Sequence, residues 1–433
     1  MLRKTVHQLH FWLGIVSGAV VFIVCLTGAM LVFREEIIML AQPEKYYVRV
    51  PQNRDALPVD ALIKKAESEH AGMRVEMLTV PEQKNRTVTL LLIKPQPKGR
   101  VMPAAYTRWL GTKIFMNPYT GETVNNPGEP PSAAEMFVII TRELHRNLLI
   151  NIPVPGMGTR SSAGGLIVAA ATIIFAVECL TGLVLWLPRS WNSMKRWSSW
   201  KQGLTVKFRA GWGRCLYDLH NTLGFYLLIP VLILALTGLC WSFSWYRAAV
   251  STLCGDTVFK NVFQKPEKII PPPEGVPPLS IAQILGKQRQ LTPDCELFVT
   301  IPRDRETALT IQTRRTGFFA LSVQDKTEWN RFTGEAVMTE RFADKSFGAK
   351  TAASVSALHY GNITGLSSKI LFFFVSLFAA TLPVTGVMWR VRKWKKKQRP
   401  PVPPITVLTK TSINIQVGRA PATVAGSGNT SNP

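Results

Sequence analysis

The sequence predicts an α-helical membrane protein: a four-transmembrane-helix bundle built from a duplicated two-span unit, with a small α+β module on each half. Three observations carry this reading. Four apolar stretches, residues 11–33, 163–187, 222–245 and 370–389, are each long enough to cross a bilayer, which takes about 20 residues. Motifs recur at a fixed offset between the first and second halves. Basic residues crowd beside the spans rather than spreading along the chain.

The first span opens as LHFWLGIVSGAVVFIVCLTG (9–28), and residues 219–238 read LHNTLGFYLLIPVLILALTG. Leu9, His10, Leu13, Gly14, Leu26, Thr27 and Gly28 each recur 210 residues later, as Leu219, His220, Leu223, Gly224, Leu236, Thr237 and Gly238. Any apolar helix repeats Leu and Val by chance. A His, two Gly and a Thr-Gly in register need a common origin. The first span has the basic start of a signal peptide, but it runs 23 residues without an A-x-A-like site. Its twin at 222–245 cannot be a signal, so both read as retained helices.

The long segments between spans repeat as well. FMNPYTGE at 115–122 matches EWNRFTGE at 328–335 in Asn, Thr, Gly and Glu, at an offset of 213. Pro and Gly make this a turn. Before each turn come a helical stretch (57–70; 278–290) and a strand-like run (75–94; 295–313) with period-two alternation, at Val88, Leu90 and Leu92 or Ala308, Thr310 and Gln312. Helix, hairpin and turn predict one α+β module per half.

The formal charge of +24 raises the question of nucleic acid, and its distribution answers it. Arg3 and Lys4 give +2, the loop 188–219 gives +6 and the tail from Arg390 gives +9, against +4 and +3 for segments 34–162 and 246–368. Cations beside the spans are the positive-inside signature. They predict a cytoplasmic N-terminus (1–10), basic loop (188–221) and tail (390–433), with 34–162 and 246–369 outside. The charge reports topology and membrane lipid, with no nucleic-acid partner. The tail, with PPVPP and GSGNTSNP, is too polar and Gly/Pro-rich to fold alone. PPPEGVPP (271–278) reads as a stiff linker. The six cysteines form no C-x-x-C, hence no zinc knuckle and no covalent haem site. Cys254 and Cys295 fall in one outward segment, where an oxidising compartment would allow a disulfide.

Four of the six histidines sit at equivalent junctions. His10 and His220 open spans one and three. His145 (ELHRNLL) and His359 (ALHYGNITG) follow Gly121 and Gly334 by 24 and 25 residues and precede spans two and four, which end in Thr-Gly again at Gly182 and Gly386. The topology places His10 and His220 together at the cytoplasmic rim, and His145 and His359 at the outer rim. Facing helices build cofactor sites in bundle cores, and neutral imidazole ligates iron. Two histidines from opposite halves supply both axial positions of a haem. Copper or zinc is the alternative, although two histidines per level are too few for a closed zinc site. Gly28 and Gly238 lie 18 residues beyond His10 and His220, about 27 Å along a helix, at the level of the outer pair. There a missing side chain makes room for a porphyrin face, or simply for helix packing. Gly182 and Gly386 do the same at the inner level. His7 and His70 have no twins and read as surface residues. Glu178, an acid inside a span, is a functional candidate by default. Trp12, Trp186, Trp241 and Trp389 read as interfacial anchors.

Leu-His-x-x-Leu-Gly with a later Thr-Gly, the paired T-G-E turns, Leu-His-Arg before span two and Leu-His-x-Gly before span four resemble the PepSY-associated transmembrane proteins, over residues 5–397. The resemblance implies a bacterial inner-membrane ferric-siderophore reductase, with PepSY-like periplasmic modules and about two b-type haems between the four helices. It makes His10, His145, His220 and His359 the haem-iron axial ligands. The expected chemistry is electron transfer from a cytoplasmic reductase or quinone to a ferric siderophore or other ferric chelate outside, for iron release and uptake. The chain carries no Walker or Rossmann fingerprint in a strand-to-helix setting, so an external donor is implied. One departure is the segment 146–162, ten residues longer than its twin. Two other classes remain: a non-catalytic PepSY module that binds a peptide or protease and signals, and a transporter. The first gives no reason for four matched histidines. The second would want inverted repeats, although Pro230 and Pro383 could kink spans three and four.

Overall fold

The computed structural model describes residues 1–94, 111–125, 128–154, 162–260, 266–314 and 324–398. The tail from Arg399 and residues 155–161 of the longer first-half connection lie outside the described residues. In chain order the helices are α1 (Leu2–Val32), α2 (Arg34–Ala41), α3 (Pro43–Tyr46), α4 (Val59–Glu69), α5 (Ala133–Asn147), α6 (Ala163–Trp186), α7 (Trp191–Met194), α8 (Trp197–Leu204), α9 (Trp212–Ser242), α10 (Ser244–Cys254), α11 (Ile281–Leu291), α12 (Phe347–Tyr360) and α13 (Leu366–Lys397). The strands are β1 (Arg74–Val80), β2 (Val88–Ile93), β3 (Thr112–Met116), β4 (Glu296–Thr300), β5 (Leu309–Arg314), β6 (Gln324–Trp329) and β7 (Ala336–Glu340).

Four helices, α1, α6, α9 and α13, are long and apolar enough to cross a membrane. Only 28–33% of each apolar window is buried within the protein, as expected of helices whose outer faces meet lipid. They form a ring: α1 and α9 each pack against both α6 and α13. Helices α1, α9 and α13 extend beyond their apolar cores, so His10 and His220 stand well inside continuous helices rather than at their mouths. Hydropathy marks only the lipid-facing length; the backbone ladder continues into polar sequence such as Arg3, Lys4 and Arg214.

At one end of the ring lies a seven-stranded antiparallel sheet, ordered β3-β2-β1-β4-β5-β6-β7. One module per half was expected, and the strands of both halves join in one sheet. β1 pairs with β4 from Met77↔Thr300 to Val80↔Leu297. Each of these strands would otherwise be an open edge, and pairing satisfies its backbone groups. Outside the seam, Glu76 forms a salt bridge with Arg303, and Arg74 donates to the carbonyls of Pro302 and Arg303.

Period-two alternation gives the sheet two unlike faces. Leu78, Leu90, Ile114, Val299 and Ile311 pack under α4 and α11, against Leu62, Ala66, Ile284 and Leu285. The opposite face presents Thr79, Lys113, Glu296, Gln312, Arg314 and Lys326 to a cavity that leads down into the helix ring. Both T-G-E turns place glycine in the left-handed region, with φ of 70° at Gly121 and 69° at Gly334. Cys254 packs beside Trp241 and Val250, and Cys295 against the sheet core, and no disulfide joins them.

Candidate cofactor site in the helix ring

The four junction histidines form two pairs, each with one ring from either half. The His10 and His220 rings have centroids 6.2 Å apart at an interplanar angle of 71°. At the sheet end of the ring, His145 and His359 are 6.3 Å apart at 60°. His145 and His359 come from the short helices α5 and α12. The Ser132 capping box starts α5, and Ser346 caps α12.

Each histidine is seated within its own half by a Thr-Gly on a neighbouring span. His145 Nδ1 lies 3.0 Å from the Val24 carbonyl oxygen and 3.1 Å from Thr27 Oγ1. His359 Nδ1 lies 3.1 Å from the Leu234 carbonyl oxygen and 3.2 Å from Thr237 Oγ1. His220 Nδ1 lies 3.0 Å from the Leu382 carbonyl oxygen and 3.3 Å from Thr385 Oγ1. His10 Nδ1 lies 3.0 Å from Thr181 Oγ1, beside the Glu178 carbonyl. In every case the carbonyl belongs to the residue three before the threonine. A carbonyl oxygen only accepts, so Nδ1 carries the proton and donates, leaving the Nε2 lone pair available. Bonds of this kind to the other ring nitrogen are how proteins orient imidazole ligands.

The glycines complete the seat. A Cβ on Gly28 would stand 3.2 Å from His145 Cε1, on Gly182 3.4 Å from His10 Cε1, on Gly238 3.0 Å from His359 Cε1 and on Gly386 3.1 Å from His220 Cε1. The space these glycines leave is taken by the imidazole edge, where the sequence reading had offered a porphyrin face or plain helix packing. The threonine, passed over as part of a glycine motif, is the residue that touches the histidine Nδ1.

The pair spacing tests the fit to a six-coordinate metal. A metal–nitrogen bond of about 2 Å on each side, plus roughly 1.2 Å from nitrogen to ring centre, puts trans imidazole centroids about 6.3 Å apart. Both pairs meet this distance. Among the described residues no group of three or more His, Cys, Asp or Glu could hold a metal ion, so each level offers a pair of imidazoles and no closed protein cage. Around the sheet-end pair lies a cavity of about 1780 Å³. Its lower walls are apolar (Val20, Val24, Phe175, Val231, Ala379), and its upper walls carry the charged residues of the sheet face. Apolar walls beside a pair of imidazoles with free Nε2 lone pairs suit a haem.

Other candidates find simpler places. His7 packs edge-on against Trp389, 6.4 Å away, and His70 Nδ1 bonds the Ala66 carbonyl at the end of α4. Glu178 accepts a hydrogen bond from Ser17 (3.2 Å) and lies against Gly14, where a Cβ would come within 2.9 Å of its carboxylate. Its counterpart in the second half is Leu382, so this acid is not part of the repeated design. Trp241 packs 5.0 Å from the His359 ring and lines the cavity, a role the anchor reading missed.

A family model for the PepSY-associated TM region matches residues 7–392. The chain belongs to the PepSY-associated transmembrane family. All four histidines, their threonines and their glycines fall inside the matched range, so the ring and the sheet together are the family's region rather than additions to it. No curated protein matches the chain.

Proposed function

We propose that this family member is a di-haem reductase of the bacterial inner membrane, moving electrons across the bilayer to a ferric complex, in the first place a ferric siderophore. The observation that carries the reading is the duplicated histidine pair, with spacing and seating suited to a metal between two imidazoles at each of two levels. Along α1, His10 and Thr27, which touches the sheet-end pair, are 17 residues apart, about 26 Å. Two such stations divide a hydrocarbon layer of about 30 Å that a single transfer would cross poorly.

In this reading the chain is a duplicated two-span unit. Its sheet is made of two PepSY-like modules on the periplasmic side, and both termini are cytoplasmic, in line with the basic flanks. Haem, when bound, supplies reversible one-electron chemistry. His10 and His220 hold one group near the cytoplasmic donor, a reductase or quinone. His145 and His359 hold the other beneath the sheet, and the carbonyl–threonine seats keep all four rings in the ligating tautomer. The walls beside the outer pair are apolar on the side toward the ring. The cavity under the sheet gives the acceptor a place near the outer pair. Reduction of ferric to ferrous iron there weakens its binding to hard oxygen ligands, and the iron leaves its carrier.

The test is an optical spectrum of detergent-purified protein with haem counted per chain, repeated on single substitutions. The expected result is low-spin absorption that sharpens on dithionite reduction, with two haems per chain. Substituting His10 or His220 should remove one haem and stop entry of electrons from the cytoplasmic side. Substituting His145 or His359 should remove the other and stop delivery to an external chelate. A His7 variant should match wild type. A colourless protein from haem-replete cells overturns the reading and leaves the peptide-binding alternative.

A further inference from the structure

The connection between α6 and α9 was expected only as a basic loop, and it folds back onto the ring. Trp186, the last residue of α6, stacks on Phe225 of α9, with ring centroids 3.7 Å apart and planes 9° from parallel. Its indole Nε1 donates to the Gly203 carbonyl at 3.2 Å, and Trp200 packs 5.5 Å from the same ring. The Tyr226 hydroxyl donates to the Leu204 carbonyl at 3.2 Å. A Cβ on Gly203 would come within 2.8 Å of the Trp186 nitrogen, so this approach needs glycine. Further along, Asp218 accepts from the Lys207 backbone N–H at 3.2 Å and pairs with Arg214 at 2.8 Å.

These contacts fix the depth of α8. The apolar stretch of α6 ends at residue 187 and that of α9 begins at 222. Side chains on a helix lean toward its N-terminus, so Phe225 and Tyr226 reach back about one turn, to the level of residue 222. The end of α8 that they and Trp186 hold therefore lies where hydrocarbon gives way to headgroups. Helices with one apolar and one basic face lie in the membrane plane at that depth.

Four aromatic side chains of the connection, Trp191, Trp197, Phe208 and Trp212, are each more than half exposed. Between them stand Arg189, Lys195, Arg196, Lys201, Lys207 and Arg209, all exposed. Among the described residues none of these six side chains has a hydrogen bond or ion pair. The acid of the connection, Asp218, is buried and taken by Arg214. Residues 1–34 and those after Asp344 contain no acid, so neither flanking terminus supplies a counter-charge. Aromatic rings favour the headgroup level, and cations beside them attract anionic lipid. An acidic soluble protein would answer the cations but leave the exposed rings at that depth unaccounted for.

We propose that the α6–α9 connection is an in-plane membrane anchor that selects anionic phospholipid. Trp191, Trp197, Phe208 and Trp212 sit at the boundary of headgroups and acyl chains, and the six cations meet the lipid phosphates. This surface stands independently of the haem reading.

The wild-type chain is reconstituted in nanodiscs of phosphatidylcholine and phosphatidylglycerol in equal parts, with a trace of one or the other spin-labelled. The immobilised fraction should favour phosphatidylglycerol about fivefold, less so as salt screens the cations. Replacing the six cations by glutamine should remove most of that preference. Depth is read with bimane on Trp197→Cys in a background without native cysteines. Phospholipid brominated on its acyl chains should quench that label strongly and aqueous iodide weakly, with the reverse for a label on Ser68→Cys in the sheet domain. Equal immobilisation of the two lipids by the wild-type protein, an arm that needs no variant to fold, overturns the selectivity. A label at position 197 quenched by iodide as readily as one at position 68 overturns the anchor. So does a glutamine variant that keeps the lipid preference but loses binding of an acidic flavodoxin, which would assign the cations to a protein partner.

Discussion

The spacing between an imidazole edge and a glycine is where the smallest change should have the largest effect. A Cβ at 3.0–3.2 Å from Cε1 is tighter than ordinary contact, and packed interiors transmit such shifts. Gly28→Ala or Gly238→Ala should push the sheet-end histidine aside by a few tenths of an ångström and lower haem occupancy at that level, leaving the other level intact. Gly224→Ala is the matched control: its Cβ would meet nothing within 4 Å, so haem content should equal wild type. Gly224 repeats Gly14 in the sequence, yet only Gly14 has a close neighbour, the Glu178 carboxylate. Identical letters in a repeat therefore did not carry identical roles. The histidines were legible because a polar, ligating residue recurring at span junctions has few explanations. Their threonine partners were not, since a Thr-Gly inside an apolar helix reads first as packing. Only the fold brings Thr27 against His145.

At the level of elements, the spans and the helix–hairpin–turn order were readable from periodicity, because each depends on local patterning. The joining of β1 to β4 was not. It pairs Leu78 with Val299 across 221 positions of chain, and nothing in either strand's alternation names its partner. A second cross-half device is equally silent in the sequence. Asp60 of α4 accepts hydrogen bonds from the backbone N–H groups of Ile281 and Ala282 at the start of α11, both at 2.8 Å. A carboxylate there satisfies orphan donors and meets the positive end of the helix dipole. Removing it in Asp60→Ala should cost about 1–2 kcal/mol, read as a lower melting temperature of the sheet domain in detergent. Haem content should stay at wild-type level, since neither histidine pair touches α11.

For the molecule as a whole, the proposed orientation can be read directly. In a background without native cysteines, a membrane-impermeant thiol reagent applied from the periplasmic side should label a cysteine at Ser68 or Glu274, both exposed on the sheet domain. It should miss one at Ser198, exposed at the far end of the ring. Labelling at Ser198 with protection at Ser68 would invert the electron path. The division of each histidine pair between the two halves also has a bearing on biosynthesis. While the ribosome has made only the first half, His10 and His145 each face no partner, and any metal group bridging a pair has one ligand to hold. The site at the far end first becomes complete when His220 is in place, and the one beneath the sheet only when His359 has been added, 139 residues later. In the proposed reading, a chain ending between His220 and His359 would carry the far-end pair alone, and only that site could fill.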